Sequence, residues 1–234
     1  MNISNQVAIT LEYAHMHIVA LTPSFTGTSS PIFVDFGIEP IKVLHATRTQ
    51  ACNPLLILGK ACGVFISSDP HTSTHEFTPW HKVHLQLINY ALEKDLPILA
   101  SGSGMQLINQ AFGGQEPKSI PGHTLEETDK ILKPTTHTIY LSPGSKSAAV
   151  LGVGGFFKVN SNHRYGIGEI ERSPDLLASA YSVEDGIVEG LESTQHSWVI
   201  GFQTNLEVLE GSPTIFKNLF LGFIDRAKAT QIAQ

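Results

Sequence analysis

A chain of 234 residues with 41% hydrophobic and 15% charged side chains can bury a sizeable core, which excludes a disordered or acidic-tail protein. Fifteen Lys and Arg against 21 Asp and Glu give a formal charge of −6, with no basic cluster, and argue against a surface that tracks nucleic-acid phosphates or an anionic membrane. Two cysteines, Cys52 and Cys62, suffice neither for a disulfide framework nor for a four-thiolate zinc site, and imply a reducing compartment. Met1 to Leu21 lacks a basic n-region followed by an apolar h-region. The longest weakly polar run, Ala148 to Phe157, holds three glycines and is too short to span a bilayer. A soluble, cytoplasmic protein of one domain, residues 1–234, is expected.

The first apolar run, His17 to Leu21, closed by Thr22-Pro23, predicts a short buried strand. Ser30-Pro31 opens a short helix that Gly37 ends, with Ser as cap and Pro in the first turn. Ile41 to Leu44 reads as a strand, Asn53 to Lys60 as an amphipathic turn or helix, and Gly63 to Ile66 as a third strand stopped by Ser67-Ser68-Asp69-Pro70. Pro79 to Lys94 has helical spacing, with Val83, Leu87 and Ala91 on one ridge and Leu85, Ile88 and Leu92 beside it. Pro97 to Ala100 is a fourth strand, and after a turn of small residues a second helix runs to Gly113-Gly114. This alternation of strand and helix predicts a parallel sheet covered on both faces. Beyond it, Phe156 to Asn160 reads as a strand. Leu177 to Ser182, Ile187 to Glu192 and Trp198 to Gln203 form an antiparallel meander around the turn signals Asp185-Gly186 and Ser193-Thr194. A last helix follows Ser212-Pro213, with Ile215, Phe216, Leu219, Phe220, Phe223 and Ile224 on one face.

The turn of small residues carries the functional signal. A sharp strand-to-helix turn sets one residue at the positive N-terminus of a helix, where anionic intermediates are stabilised. Pro97-Ile98-Leu99-Ala100-Ser101-Gly102-Ser103-Gly104-Met105-Gln106 has that form, and Leu107-Ile108-Asn109-Gln110-Ala111-Phe112-Gly113-Gly114 continues it. The stretch resembles the nucleophile elbow of class I glutamine amidotransferase-like proteins, in the branch of the γ-glutamyl-γ-aminobutyrate hydrolases, whose pattern is P-[IV]-L-G-I-C-R-G-M-Q and L-[IL]-N-x-x-F-G-G. Three further stretches resemble that branch in order. Val159-Asn160-Ser161-Asn162-His163-Arg164 is similar to its V-N-S-x-H-H-Q substrate loop. Ala180 to Glu192 is similar to its A-x-x-x-D-G-x-[IV]-E-A-[IL]-E hairpin, and Val199 to Glu207 to V-x-G-[VF]-Q-W-H-P-E.

The resemblance implies an α/β flavodoxin-like three-layer sandwich, with a mostly parallel central sheet and an antiparallel C-terminal extension. It also implies a Cys-His-Glu triad for attack on a γ-glutamyl amide. Carried over residue by residue, the cysteine falls on Gly102, the histidine on Asn205 and the glutamate on Glu207, and the Gly-Gly oxyanion turn falls on Ser67-Ser68. Glycine carries no nucleophile and asparagine is no general base, so the expectation is a pseudoenzyme with no intact catalytic residue. Its vestigial γ-glutamyl pocket is expected to gather Ser67, Ser68, Gly102, Ser103, Gly104, Gln106, Asn160, Ser161, Asn162 and His163. Its expected partners are a small γ-glutamyl-like ligand, a second copy of the chain, or a synthase-type protein, with neither nucleic acid nor membrane.

Two rival readings stay open: a divergent hydrolase in which Ser101 or Ser103 is a relocated nucleophile served by His163, and a structural or regulatory subunit of a synthase. The bland account of both serines is that they cap the following helix or keep the turn small. No cofactor and no metal are called for. His71, His75, His81 and His84 crowd into one stretch with Glu76 between them and could collect a divalent ion, but without a recognised ligand spacing they read as solvated or capping histidines. Gly152-Val153-Gly154-Gly155 reads as a tight turn, since no Lys-Ser/Thr pair or amphipathic helix follows it.

Overall fold

A computed structural model describes residues 16–22, 33, 38, 41–44, 53–67, 79–123, 126–128, 131–133, 135–208 and 211–233. Its strands are β1 (Ile18–Thr22), β2 (Ile41–Leu44), β3 (Gly63–Ile66), β4 (Ile98–Ser101), β5 (Lys118–Ser119), β6 (Glu126–Thr128), β7 (Ile131–Lys133), β8 (Thr135–Leu141), β9 (Gly155–Ser161), β10 (Tyr165–Gly166), β11 (Leu176–Ser182), β12 (Val188–Ser193) and β13 (Val199–Phe202). The helices are α1 (Pro54–Leu58), α2 (Pro79–Glu93), α3 (Ser103–Ala111), α4 (Lys146–Leu151) and α5 (Lys217–Ala233), the last entered through a 3-10 turn at Thr214–Phe216.

One mixed sheet has the order β2-β1-β3-β4-β13-β12-β11-β8-β9. Pairing is parallel from β2 to β13 and antiparallel from β13 to β9. The expected antiparallel extension is therefore part of the main sheet, joined where β13 lies parallel to β4. Two short pairs, β5 with β10 and β6 with β7, stand outside it.

The strands of the parallel half read as unbroken apolar runs because both faces are covered. Successive side chains point to opposite faces, so Val64 and Ile66 of β3 and Ile98 and Ala100 of β4 join a core with Leu87, Ile88, Met105 and Ile108 of α2 and α3. Phe65, Leu99, Ile200 and Phe202 join the opposite core with Leu219, Phe220 and Phe223 of α5. Phe65 meets Phe33 and Phe220 with ring centroids 5.3 and 5.5 Å apart. Each such fully buried side chain contributes about 1.5–3 kcal/mol of transfer free energy. The layers are thus helix, sheet, helix, as the resemblance implies.

The expected apolar face of the last helix is buried, apart from the half-buried Ile215. Asn53 caps α1 by accepting from the Leu55 amide. Of the helix expected after Ser30-Pro31, Phe33 is described and is helical. Gly152 closes α4 in the left-handed region at φ 76°, which accounts for the glycine-rich stretch as a turn. Cys62 is buried and unpaired, and burial pushes its thiol pKa up. Cys52, Ser68, His71 and His75 lie outside the described residues. No described helix is long and apolar enough to cross a membrane.

Candidate functional site

β3, β4 and β13 are adjacent and parallel, so the residues that follow them emerge at one edge of the sheet, where open α/β sheets bind ligands. β4 ends at Ser101, and Gly102 turns the chain into α3 with φ 53° and ψ −121°. The Gly102 amide donates to the Phe202 carbonyl at 2.8 Å, and its own carbonyl accepts from Met105 at 3.0 Å. This is the sharp, strained strand-to-helix turn in which a nucleophile is ordinarily displayed, here built with a residue that adopts positive φ without steric cost. Gly104 is also required by space: a Cβ there would lie 2.7 Å from the Ile66 carbonyl oxygen and 2.8 Å from Ile66 Cγ2, so α3 starts in direct contact with the end of β3.

The two serines beside Gly102 differ. Ser101 is fully buried and its Oγ accepts from the Leu206 amide at 3.0 Å, tying β4 to the segment after β13. It therefore does not cap α3, whose cap position is Gly102 and which has no side-chain cap. Ser103 is half-buried in the first turn of α3.

Ser67, just after β3, donates from Oγ to Glu207 Oε2 at 2.6 Å, which joins the ends of β3 and β13 across the elbow. Asn205 Oδ1 accepts from the Glu207 amide at 3.0 Å, so its carboxamide is folded onto its own backbone turn. Ser67, Gly102, Asn205 and Glu207 thus lie at one edge of the sheet. Gln106 is buried and donates to the Tyr165 carbonyl at 2.9 Å and to Gln203 Oε1 at 3.0 Å.

The side chains of 160–163, expected in the same pocket, are largely engaged elsewhere. Asn160 is a strut: Nδ2 donates to the carbonyls of Asn205 and Val208 at 3.1 and 2.8 Å and to Ser212 Oγ at 2.8 Å. Its Oδ1 accepts from Thr204 Oγ1 and the Asn205 amide, both at 3.0 Å. Ser161 Oγ donates to the His123 carbonyl at 3.1 Å, and Asn162 is exposed. His163 Nδ1 lies 3.0 Å from the Tyr165 carbonyl, and its Nε2 faces Glu189 Oε1 at 3.6 Å.

Glu189 is the centre of a second, buried constellation. His123 Nδ1 lies 3.8 Å from its Oε1 and His137 Nε2 3.5 Å from its Oε2, and one ligand-capable atom from each of the three histidines and the glutamate falls within 4.8 Å of the others. The four side chains are between 1% and 9% exposed. Burial pulls the His137 imidazole down, but attraction to Glu189, with Glu184 and Asp185 behind it, carries it above its ordinary value; at 3.5 Å that attraction is chiefly charge rather than a well-formed hydrogen bond. His163 goes the other way, because burial together with repulsion from His123 and His137 outweighs the attraction of Glu189. These four residues are the described group able to hold a metal ion.

His81 and His84, expected to be solvated or capping, are instead only 2% exposed on α2, where His81 Nε2 lies 2.6 Å from Gln110 Oε1 of α3. They sit one helical turn apart, and His81 is held against α3 by that contact.

A family model described as Peptidase C26 matches residues 53–205, close to two thirds of the chain. The chain belongs to the peptidase C26 family of class I glutamine amidotransferase-like proteins. This C26 chain is 32% identical to the Schizosaccharomyces pombe protein named "Putative glutamine amidotransferase PB2B2.05", over 90% of this chain and 87% of that one. It is 30% identical to the γ-glutamyl-γ-aminobutyrate hydrolase PuuD of Escherichia coli K12, over 60% of this chain and 57% of that enzyme. Its fold is similar to the crystal structure of a glutamine amidotransferase from Methylobacillus flagellatus, with a TM-score of 0.64 and 15% identity, covering 93% of this chain and 94% of that one.

In this C26 chain the residues that continue the elbow are structural. Asn109 is fully buried: Oδ1 accepts from the Ser173 amide at 2.8 Å, and Nδ2 donates to the Glu171 carbonyl at 2.8 Å and the Gln115 carbonyl at 3.2 Å. Ser173 Oγ closes the arrangement on the Phe112 carbonyl at 2.7 Å. The stretch from Leu107 to Gly114 therefore fastens the far end of α3 to the loop before β11.

Proposed function

We propose that this peptidase C26 member does not hydrolyse γ-glutamyl amides and acts as a binding protein, taking a small γ-glutamyl-like ligand at the edge formed by Ser67, Gly102, Ser103 and Glu207. The observation that carries the reading is the pairing of glycine in the elbow conformation with an asparagine whose carboxamide oxygen is committed to the Glu207 amide. An elbow without a side chain offers no nucleophile, and a carboxamide takes up no proton near neutral pH. What remains is the positive end of α3, which suits a carboxylate, beside Ser67, whose hydroxyl hydrogen is already donated to Glu207.

Of the serine alternatives, Ser101 is disfavoured because its Oγ is buried and engaged by Leu206, which leaves Ser103. The purified chain, assayed with glutamine, γ-glutamyl-p-nitroanilide and γ-glutamyl-γ-aminobutyrate, is expected to show product formation at the buffer rate. Turnover that disappears in Ser103→Ala or Ser101→Ala overturns the proposal in favour of a relocated nucleophile.

A further inference from the structure

We infer that His123, His137, His163 and Glu189 form a closed structural site for one divalent transition-metal ion, zinc being the cation that their donor set fits best. The inference is independent of whether the elbow hydrolyses anything.

Its first support is the direction of the lone pairs. His163 donates Nδ1–H to the Tyr165 carbonyl, which is an acceptor only, so Nε2 presents a lone pair toward Glu189 in the neutral ring. His123 lies with Nε2 2.9 Å from Asp185 Oδ2, which fixes the proton on that nitrogen and turns the Nδ1 lone pair inward. A backbone carbonyl and a carboxylate on the outer nitrogens are the partners that hold metal-ligating histidines in the required tautomer. Ser161 Oγ, 3.3 Å from His123 Nδ1, has the His123 carbonyl as its alternative acceptor at 3.1 Å, so it need not compete.

Its second support is what the inner atoms lack. Both oxygens of Glu189, both ring nitrogens of His137 and Nε2 of His163 are buried without a hydrogen-bond partner. A carboxylate 1% exposed with no donor is costly, and two acceptor nitrogens facing it make matters worse. One proton between Glu189 and a single histidine relieves one contact and leaves the others. One cation at the centre gives Glu189 and all three rings a partner, with His137 bound through Nε2 and its outer Nδ1–H left unpaired.

The distances are those of an open set that an ion would draw together. Tetrahedral bonds of about 2.0–2.1 Å imply about 3.3 Å between ligand atoms. The histidines stand 3.5 Å from Glu189 Oε2 and 3.6 and 3.8 Å from Oε1, and the four ligand atoms lie within 4.8 Å of one another, so closure draws the side chains inward by side-chain rotation. Three imidazoles and one carboxylate suit zinc and its neighbours and not calcium or magnesium, which prefer oxygen shells. Charge also balances: a dication, Glu189 and the outer Asp185 sum to zero with three neutral rings. Four protein ligands at this burial leave no open position, which marks the site as structural.

The ligands come from separate places: His123 follows β5, His137 is in β8, His163 follows β9 and Glu189 is in β12. The ion clips these elements together and holds the Tyr165 carbonyl, on which Gln106 of α3 also rests.

The test uses the full-length chain, stripped with a chelator, checked for folding by circular dichroism and titrated with zinc chloride. Uptake of one zinc per chain by elemental analysis, a higher Tm, and the intense visible bands of a tetrahedral site on replacement by cobalt(II) are expected. Glu189→Gln, an isosteric change, should abolish uptake or weaken it by more than 100-fold. Asp185→Asn, which leaves all four ligands in place and alters a half-exposed side chain, should weaken it by about 10–100-fold. A folded parent chain that takes up no zinc overturns the inference, and so does uptake that Glu189→Gln leaves at parental affinity.

Discussion

Gly102→Ala probes the elbow most directly. At φ 53° and ψ −121° an L side chain is forced against the backbone, at a cost of about 1–3 kcal/mol, while the bond from the Gly102 amide to Phe202 and the one that its carbonyl accepts from Met105 are untouched. For a chain of this size each kcal/mol moves Tm by about 2–4 °C, so Gly102→Ala should melt about 2–12 °C below the parent. Thermal unfolding followed by circular dichroism measures this. A lower urea midpoint with an unchanged m-value separates strain from a changed unfolded state. Gly102→Cys carries the same backbone cost and adds a thiol at the N-terminus of α3, where the helix field favours thiolate. It should react rapidly with iodoacetamide, whereas Cys62, buried and with its pKa pushed up, should react slowly. It should still not hydrolyse γ-glutamyl amides until Asn205→His is added beside Glu207. A Gly102→Ala protein as stable as the parent would refute the strain, and hydrolysis by Gly102→Cys alone would refute the lack of a base.

Glu192 is buried and accepts from the amides of Lys146 and Ser147 at 2.8 and 3.0 Å and from Ser147 Oγ at 2.9 Å, capping α4 from a neighbouring strand. Glu192→Ala leaves those donors unsatisfied at a helix N-terminus and should cost about 3–5 kcal/mol, read as a Tm fall near 10 °C; a loss below about 0.5 kcal/mol contradicts the assignment. Gly104→Ala should destabilise by about 1–3 kcal/mol, because the Ile66 backbone cannot yield to the new methyl group, and an unchanged melting curve would show that it can. Lys118 holds the Glu171 carboxyl below its ordinary range, helped by the Gly168 amide. The resulting stability is present above the unfolded carboxylate pKa of about 4.3 and is lost as pH falls through the folded value. The gap between parent and Glu171→Gln should therefore be widest near neutrality and close in acid; chemical denaturation across pH that finds it widening in acid would count against the ion pair.

The elbow was legible because its information is local. Buried strand, small residues and amphipathic helix follow one another within Pro97 to Gly114, and each forces its neighbour's conformation. The strand Thr135–Leu141 was not legible, since its burial centres on Ile139 and Leu141 while His137 points inward against the hydrophobic pattern. α4 has only six residues, too few to display a period. The histidine and glutamate cluster was invisible for a different reason: its members are 14, 26 and 26 residues apart along the chain (123, 137, 163, 189), and only the packing of β8, β9 and β12 brings them together. Histidine density in sequence pointed to His71, His75, His81 and His84; convergence in space pointed elsewhere.

The strut at Asn160 has a consequence for the shape of the sheet. β9 is four strands from β13, about 19 Å across a flat sheet at the usual strand spacing. Asn205 comes three residues after β13 ends, a reach of about 10 Å. Yet Asn160 at the end of β9 bonds to Asn205 at 3.1 Å, so the antiparallel half must roll back toward the parallel half until edge meets centre. One carboxamide thereby works as the clasp of a half-closed cylinder. Disturbing the outermost strand would loosen the same segment that carries Glu207 to the elbow.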